Sequence, residues 1–213
     1  SSRPCLPCTS FYGNLQPPYI DPGGSRWRPV SHLALFQNAG HGHGRPEPVL
    51  RTSDPERIQQ ELAERGISFT RWQARATLAP DADQAAILAA YGPEIARVQG
   101  QGGYATVDAI RMSPTHPDRV ALRQKFLAEH VHSEDEVRFF VEGRGLFCLH
   151  IGEEVLQVLC EQDDWISVPA GTKHWFDMGS APRFCAIRFF DNPEGWVAAF
   201  TGDPIAKRFP LLD

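Results

Sequence analysis

A mainly β protein with flanking helices, an α+β chain built around an antiparallel β-barrel, is the fold class the sequence predicts, and three observations predict it. From His130 to Phe190, short apolar runs alternate with tight glycine or acidic turns, the spacing of antiparallel strands joined by hairpins. Helical patterns are concentrated in the N-terminal half. With 213 residues, 42% hydrophobic and 22% charged, the chain supports one sizeable core, or a core with a small appendage.

The elements follow in order. Residues 1–30 are rich in Pro, Gly and Ser and lack periodicity, so they are expected to be disordered or an extension foreign to the domain. Residues 31–213 are expected to form a single domain. His32 to Phe36 reads as a first strand. A helix follows in which Ser53 and Glu56 fit a capping box, Ile58 and Leu62 share a face, and Gly66 terminates. Phe69 to Ala74 is strand-like. Asp83 to Val98 is helical but divided near Pro93, because proline removes an N–H and clashes with the preceding turn. Tyr104 to Met112 is extended, and Asp118 to Ala128 is a further helix. Strands are then predicted at Val137–Val141, Leu146–Ile151, Glu154–Cys160, Trp165–Val168, His174–Met178 and Phe184–Phe190.

Composition excludes several classes of partner. A net charge of −5 makes no electrostatic case for nucleic acid or an anionic membrane. No apolar run approaches the ~18 residues of a membrane span, and the N-terminal stretch has no apolar signal core, so a cytoplasmic protein is expected. Five scattered cysteines imply no disulfide framework. Cys148, Cys160 and Cys185 sit in apolar runs as small hydrophobes, and Cys5-Leu6-Pro7-Cys8 lacks the second pair a zinc site needs.

The chemistry gathers at His130-Val131-His132-Ser133-Glu134-Asp135-Glu136-Val137-Arg138. In a strand, His130 and His132 face the same way and can grip one ion, and Glu136 has the same parity. The polar Ser133-Glu134-Asp135 interval is a candidate bend that returns Glu136 toward the pair. His174, just past the Pro169-Ala170-Gly171 turn, must arrive from a distant strand, which a barrel supplies. Three imidazoles and a carboxylate suit Fe²⁺, Ni²⁺ or Zn²⁺ and match Mg²⁺ or Ca²⁺ poorly. His41-Gly42-His43 has the same spacing but lies in a glycine-rich loop with no strand to fix the rings.

The run His130-x-His132-x3-Glu136-x6-Gly143 resembles the first signature of the cupin superfamily, and Pro169-x-Gly171-x2-His174 resembles the core of the second. Asp163 and Met178 stand where the second signature usually has Gly and Asn. Four longer blocks resemble acireductone dioxygenases: Lys125 to His130, Glu136 to Gly143, Ser167 to Asp177, and Asn192 to Trp196. The resemblance implies a cupin jelly-roll with one Fe²⁺ or Ni²⁺ per chain, held by His130, His132, Glu136 and His174. It also implies the cleavage of 1,2-dihydroxy-5-(methylthio)pent-1-en-3-one by O₂ in methionine salvage. With iron the family gives formate and 4-methylthio-2-oxobutanoate, and with nickel 3-(methylthio)propanoate, formate and CO.

Glu136 and Arg138 are then the candidate catalytic residues. Arg138 shares the parity of Glu136, and its buried charge needs an anion: the substrate, or else Asp177 or Glu129. Phe126 and Trp196 are candidate walls around the methylthio tail, with core packing the equal alternative. Arg188 is expected to touch substrate or Glu136, or to exit to solvent. Glu129 is a candidate to orient a ligand imidazole through its second nitrogen. His32, His116 and His150 are read as structural or surface residues. The expected partners are the small acireductone and O₂, acting on a monomer. The competing readings are another metal-dependent cupin, such as a sugar isomerase or a different dioxygenase, and a non-catalytic cupin binding protein.

Overall fold

The computed structural model describes residues 30–37, 45–101, 103–192 and 197–212. Trp196, the His41-Gly42-His43 run and the Cys5/Cys8 pair lie outside them.

The described chain runs β1 (His32–Phe36), β2 (Leu50–Thr52), α1 (Pro55–Ala63), β3 (Ser68–Arg71), α2 (Gln84–Ala90), α3 (Gly92–Gly100), β4 (Thr106–Met112), α4 (Arg119–Phe126), β5 (His130–Val131), β6 (Glu136–Gly143), β7 (Gly145–Ile151), β8 (Glu154–Cys160), β9 (Asp164–Val168), β10 (Lys173–Asp177), β11 (Phe184–Phe190) and β12 (Ala199–Phe200), closing on a 3-10 turn at Pro204–Arg208. The strands form two antiparallel sheets, ordered β12-β5-β10-β7-β8-β1-β2 and β3-β9-β6-β11-β4. This is the cupin-type α+β architecture that the sequence predicts.

Alternation along the strands builds the layers. Phe140 on β6, Phe147 and Leu149 on β7, Phe176 on β10 and Ala186 on β11 meet in a core between the sheets. Val137, Phe139 and Val141 of β6 face the other way and are covered by Ile87, Tyr91 and Val98 of the α2–α3 region. With both faces covered, Glu136 to Val141 are all buried, and that stretch reads as a nearly unbroken apolar run interrupted only by the charges of the site.

Two local readings shift. The cap of α1 is Asp54, not Ser53: Pro55 takes the first helical position, so the residue before it caps, and its Oδ1 accepts from Glu56 N at 3.0 Å. The short edge strands β2 and β12 carry too few residues to show a period. The division near Pro93 is observed at Tyr91, between α2 and α3. Gly143, the glycine of the first signature, has φ +66°, and a Cβ there would fall 1.8 Å from the Arg183 carbonyl oxygen. Only glycine combines that left-handed backbone with so close an approach.

Candidate metal centre

The site is assembled from both sheets. β5 and β10 are paired so that His130 stands opposite His174, while Glu136 opens β6 in the facing sheet. Ser133 to Asp135 form the bend between β5 and β6. That bend is tied to the Pro169–Thr172 turn twice: Gly171 N donates to His132 O at 2.9 Å, and Ala170 N donates to Asp135 Oδ1 at 2.9 Å. The two motifs are therefore one structural unit.

The candidate ligand nitrogens of His130, His132 and His174 lie within 4.8 Å of one another. Each ring presents Nδ1 to a backbone carbonyl: His130 to Ala128 at 2.7 Å, His132 to Val197 at 3.2 Å and His174 to Thr172 at 2.8 Å. A carbonyl only accepts, so these contacts assign the proton to Nδ1 and leave a lone pair on every Nε2. Burial, followed by the neighbouring His174, pushes the His130 imidazolium down to about 4. Burial first of all also lowers His132. Neutral imidazole is the form that ligates.

Glu136 lies beside the three imidazoles. Its Oε2 lies 2.8 Å from His174 Nε2 and 3.8 Å from His132 Nε2. Although the first distance is short, among the described residues neither Glu136 Oε2 nor His174 Nε2 has a hydrogen bond of sound geometry, and with its proton on Nδ1, facing the Thr172 carbonyl, His174 can only accept at Nε2. Two buried acceptors facing each other repel unless a cation answers them. Burial alone would raise the Glu136 carboxyl, but Arg138 and then the imidazoles hold it well below the usual carboxylate range. The donor set fits a divalent metal ion.

Arg138 is buried and pairs, through Nη2, with Glu136 Oε1. Its guanidinium lies 5.1 Å from the Phe147 ring centre and 4.8 Å from that of Phe176. The alternative partners weighed for it are engaged elsewhere: Asp177 binds Arg123 at 2.8 Å, and Glu129 binds His150 at 2.6 Å. Arg138 Nε is buried and, among the described residues, has no hydrogen-bond acceptor.

Other candidate residues are placed differently from expectation. Glu129 contacts no ligand imidazole, because the ligand Nδ1 atoms use backbone carbonyls; it accepts from His150 Nδ1 and from Thr201 Oγ1 at 2.7 Å. His150, read as structural or surface, is thus the partly buried partner of a buried carboxylate. Arg188 is not paired with Glu136; partly exposed, it forms a two-pronged pair with Asp108, the residue opposite it on β4, at 2.8 and 2.6 Å. Phe126 is half-buried and meets Phe176 edge-on at 6.4 Å. Phe200 was missed: it stands opposite His130 on β12, 5.8 Å from that ring, and is 51% exposed. A two-residue edge strand leaves no sequence signal for such a neighbour, and backbone carbonyls leave none at all.

A profile of the ARD/ARD′ family matches residues 36–198. An acireductone dioxygenase from Prochlorococcus marinus (strain MIT 9303) is 70% identical over 184 residues, covering 86% of this chain and 100% of the relative. One from Synechococcus sp. (strain RCC307) is 62% identical over 183 residues, covering 86% and 99%. Among solved structures, an acireductone dioxygenase from Bacillus anthracis with a cadmium ion in its active center superposes with a TM-score of 0.66 at 28% identity, covering 80% of this chain and 98% of that one. With a fold and a donor cluster that agree with these matches, the chain belongs to the ARD/ARD′ family, the acireductone dioxygenases.

Proposed function

We propose that this chain cleaves 1,2-dihydroxy-5-(methylthio)pent-1-en-3-one with O₂, using Fe²⁺ or Ni²⁺ held by His130, His132, Glu136 and His174. The observation that carries the reading is the pair of buried acceptors, Glu136 Oε2 and His174 Nε2, facing each other beside two further imidazoles fixed as Nδ1–H tautomers. The names of the relatives supply the substrate class.

A divalent ion held by His130, His132, Glu136 and His174 would supply Lewis-acid stabilisation of the anionic enediolate that O₂ oxidises. The chain's own residues do the rest. The backbone carbonyls of Ala128, Val197 and Thr172 aim the imidazoles. Glu136 divides its oxygens between the centre and Arg138, so a fixed cation lies next to the place where the dianionic substrate binds. The free Nε–H of Arg138 is suited to a substrate oxygen. Phe126 and the half-exposed Phe200 offer apolar surface for the thioether tail.

The deciding experiment is to load metal-free protein with Fe²⁺ or Ni²⁺, supply acireductone and O₂, and identify products. Formate with 4-methylthio-2-oxobutanoate is expected from the iron form. Formate, CO and 3-(methylthio)propanoate are expected from the nickel form. Loss of acireductone no faster than in buffer with either metal would overturn the proposal.

A further inference from the structure

Glu129 is 1% exposed and directly precedes the candidate ligand His130. A carboxylate buried to that extent costs folding energy unless it is well partnered. Its partners come from both sides of β5. On one side, just beyond β12, Thr201 Oγ1 donates to Glu129 Oε1 at 2.7 Å and Thr201 N donates to Glu129 O at 3.0 Å. On the other, His150 Nδ1 donates to Oε2 at 2.6 Å. His150 belongs to β7, which is not adjacent to β5: β10, carrying His174, lies between them. Neighbouring strands are about 4.8 Å apart, so the Glu129–His150 bond spans about 10 Å of sheet. Leu149 points into the core between the sheets, so alternation puts His150 on the outer face, behind the imidazoles.

We propose that Glu129, His150 and Thr201 form a positioning clamp on the back of the sheet that sets the placement of His130 relative to His174. The chain on either side of Glu129 shows how. Residue 128 supplies the carbonyl that fixes the His130 tautomer, and residue 130 is the ligand itself. Anchoring Glu129 by both its main chain and its side chain therefore fixes the ligand and its orienting group together. On the His150 side, Lys173, the neighbour of His174, stands opposite His150 on β7, so the same bond draws the β10 ligand into register. The clamp acts through strand placement and touches neither metal nor substrate.

This inference rests on the metal reading of the three imidazoles, and the test separates the two. Co²⁺ is titrated into metal-free wild type, Glu129→Ala, Glu129→Gln, His150→Phe and Thr201→Val, following the visible d–d absorption and the dissociation constant, with melting of the metal-free forms as a control for folding. The wild type is expected to bind Co²⁺. Glu129→Ala is expected to bind about tenfold or more weakly with a displaced absorption band, as for loss of groups that orient metal ligands. His150→Phe and Thr201→Val should lose smaller factors, and Glu129→Gln, which keeps an acceptor for Thr201, should recover part of the loss. No Co²⁺ binding by wild type would overturn the metal reading. Normal binding and an unmoved band in Glu129→Ala, His150→Phe and Thr201→Val, whatever their melting temperatures, would overturn the clamp alone.

Discussion

At the scale of single residues, the centre is defined by what its polar atoms cannot do for one another. His174 Nε2 and Glu136 Oε2 are 2.8 Å apart and both accept, an arrangement that water-filled surface clusters relax by turning away but that burial here prevents. His174→Ala removes one of the two, and His132→Ala removes a third donor 3.8 Å from the same oxygen. Each variant is expected to lose tightly bound metal, with affinity down by at least about tenfold, while circular dichroism stays that of the wild type. Metal content equal to wild type after dialysis would strike that residue from the ligand set. Arg138 is the chief favourable influence on the Glu136 carboxylate, since its charge lowers that carboxyl against the opposing effect of burial.

At the scale of elements, the site depends on strands of both sheets arriving in a fixed register. β6 leaves the centre at Glu136 and must turn sharply at Gly143 into β7, which returns beside β10. A Cβ at Gly143 would sit 1.8 Å from Arg183 O in a backbone region with φ +66°. Gly143→Ala is therefore expected to cost roughly 2–5 kcal/mol, combining overpacking with the left-handed penalty. Urea unfolding measures it, and a loss below about 1 kcal/mol would mean that the β6–β7 turn adapts without strain. Asp135 deserves equal weight in this unit, since its bond to Ala170 N joins the ligand-bearing bend to the turn that delivers His174.

At the scale of the whole molecule, the fold separates the candidate metal centre from a buried acidic pair. Val168 stands opposite Glu136 at the metal end of β9, whereas Asp164 begins that strand at the other end, next to Glu161. Burial first of all raises Glu161 from 4.5 to about 7 and Asp164 from 3.8 to about 6. The folded chain therefore holds protons that the unfolded chain has released, so the contribution of these groups is fully present below about pH 4 and is lost as pH rises through 6 to 7. Glu161→Gln removes its share. Relative to wild type, the variant is expected to melt higher at about pH 8 than at about pH 5. A difference that does not change with pH would show that Glu161 titrates as an ordinary carboxylate. Among the described residues, no helix is long and apolar enough to cross a membrane.

What the sequence by itself determined was whatever depends on local periodicity and on residue type. The alternation and turn spacing after His130 were enough to delimit β8 and β11 to the residue and β6, β7, β9 and β10 to within one or two, whereas the two-residue β12 gave no signal. The His-x-His spacing, the Glu136 parity and the Pro-x-Gly turn before His174 singled out the four side chains that the fold brings together. Only the tertiary structure decided who partners whom. Arg138 takes Glu136, Arg188 takes Asp108, Glu129 takes His150 and Thr201, and Phe200 stands beside His130. Arg138 and Glu136 share β6, but the other pairs join segments distant in the chain, and strand order and register, which set such meetings, are products of how the sheets close and not of any window of sequence. The carbonyls that fix the imidazole tautomers are the extreme case, because every residue has one and only the fold says which of them points at a ring.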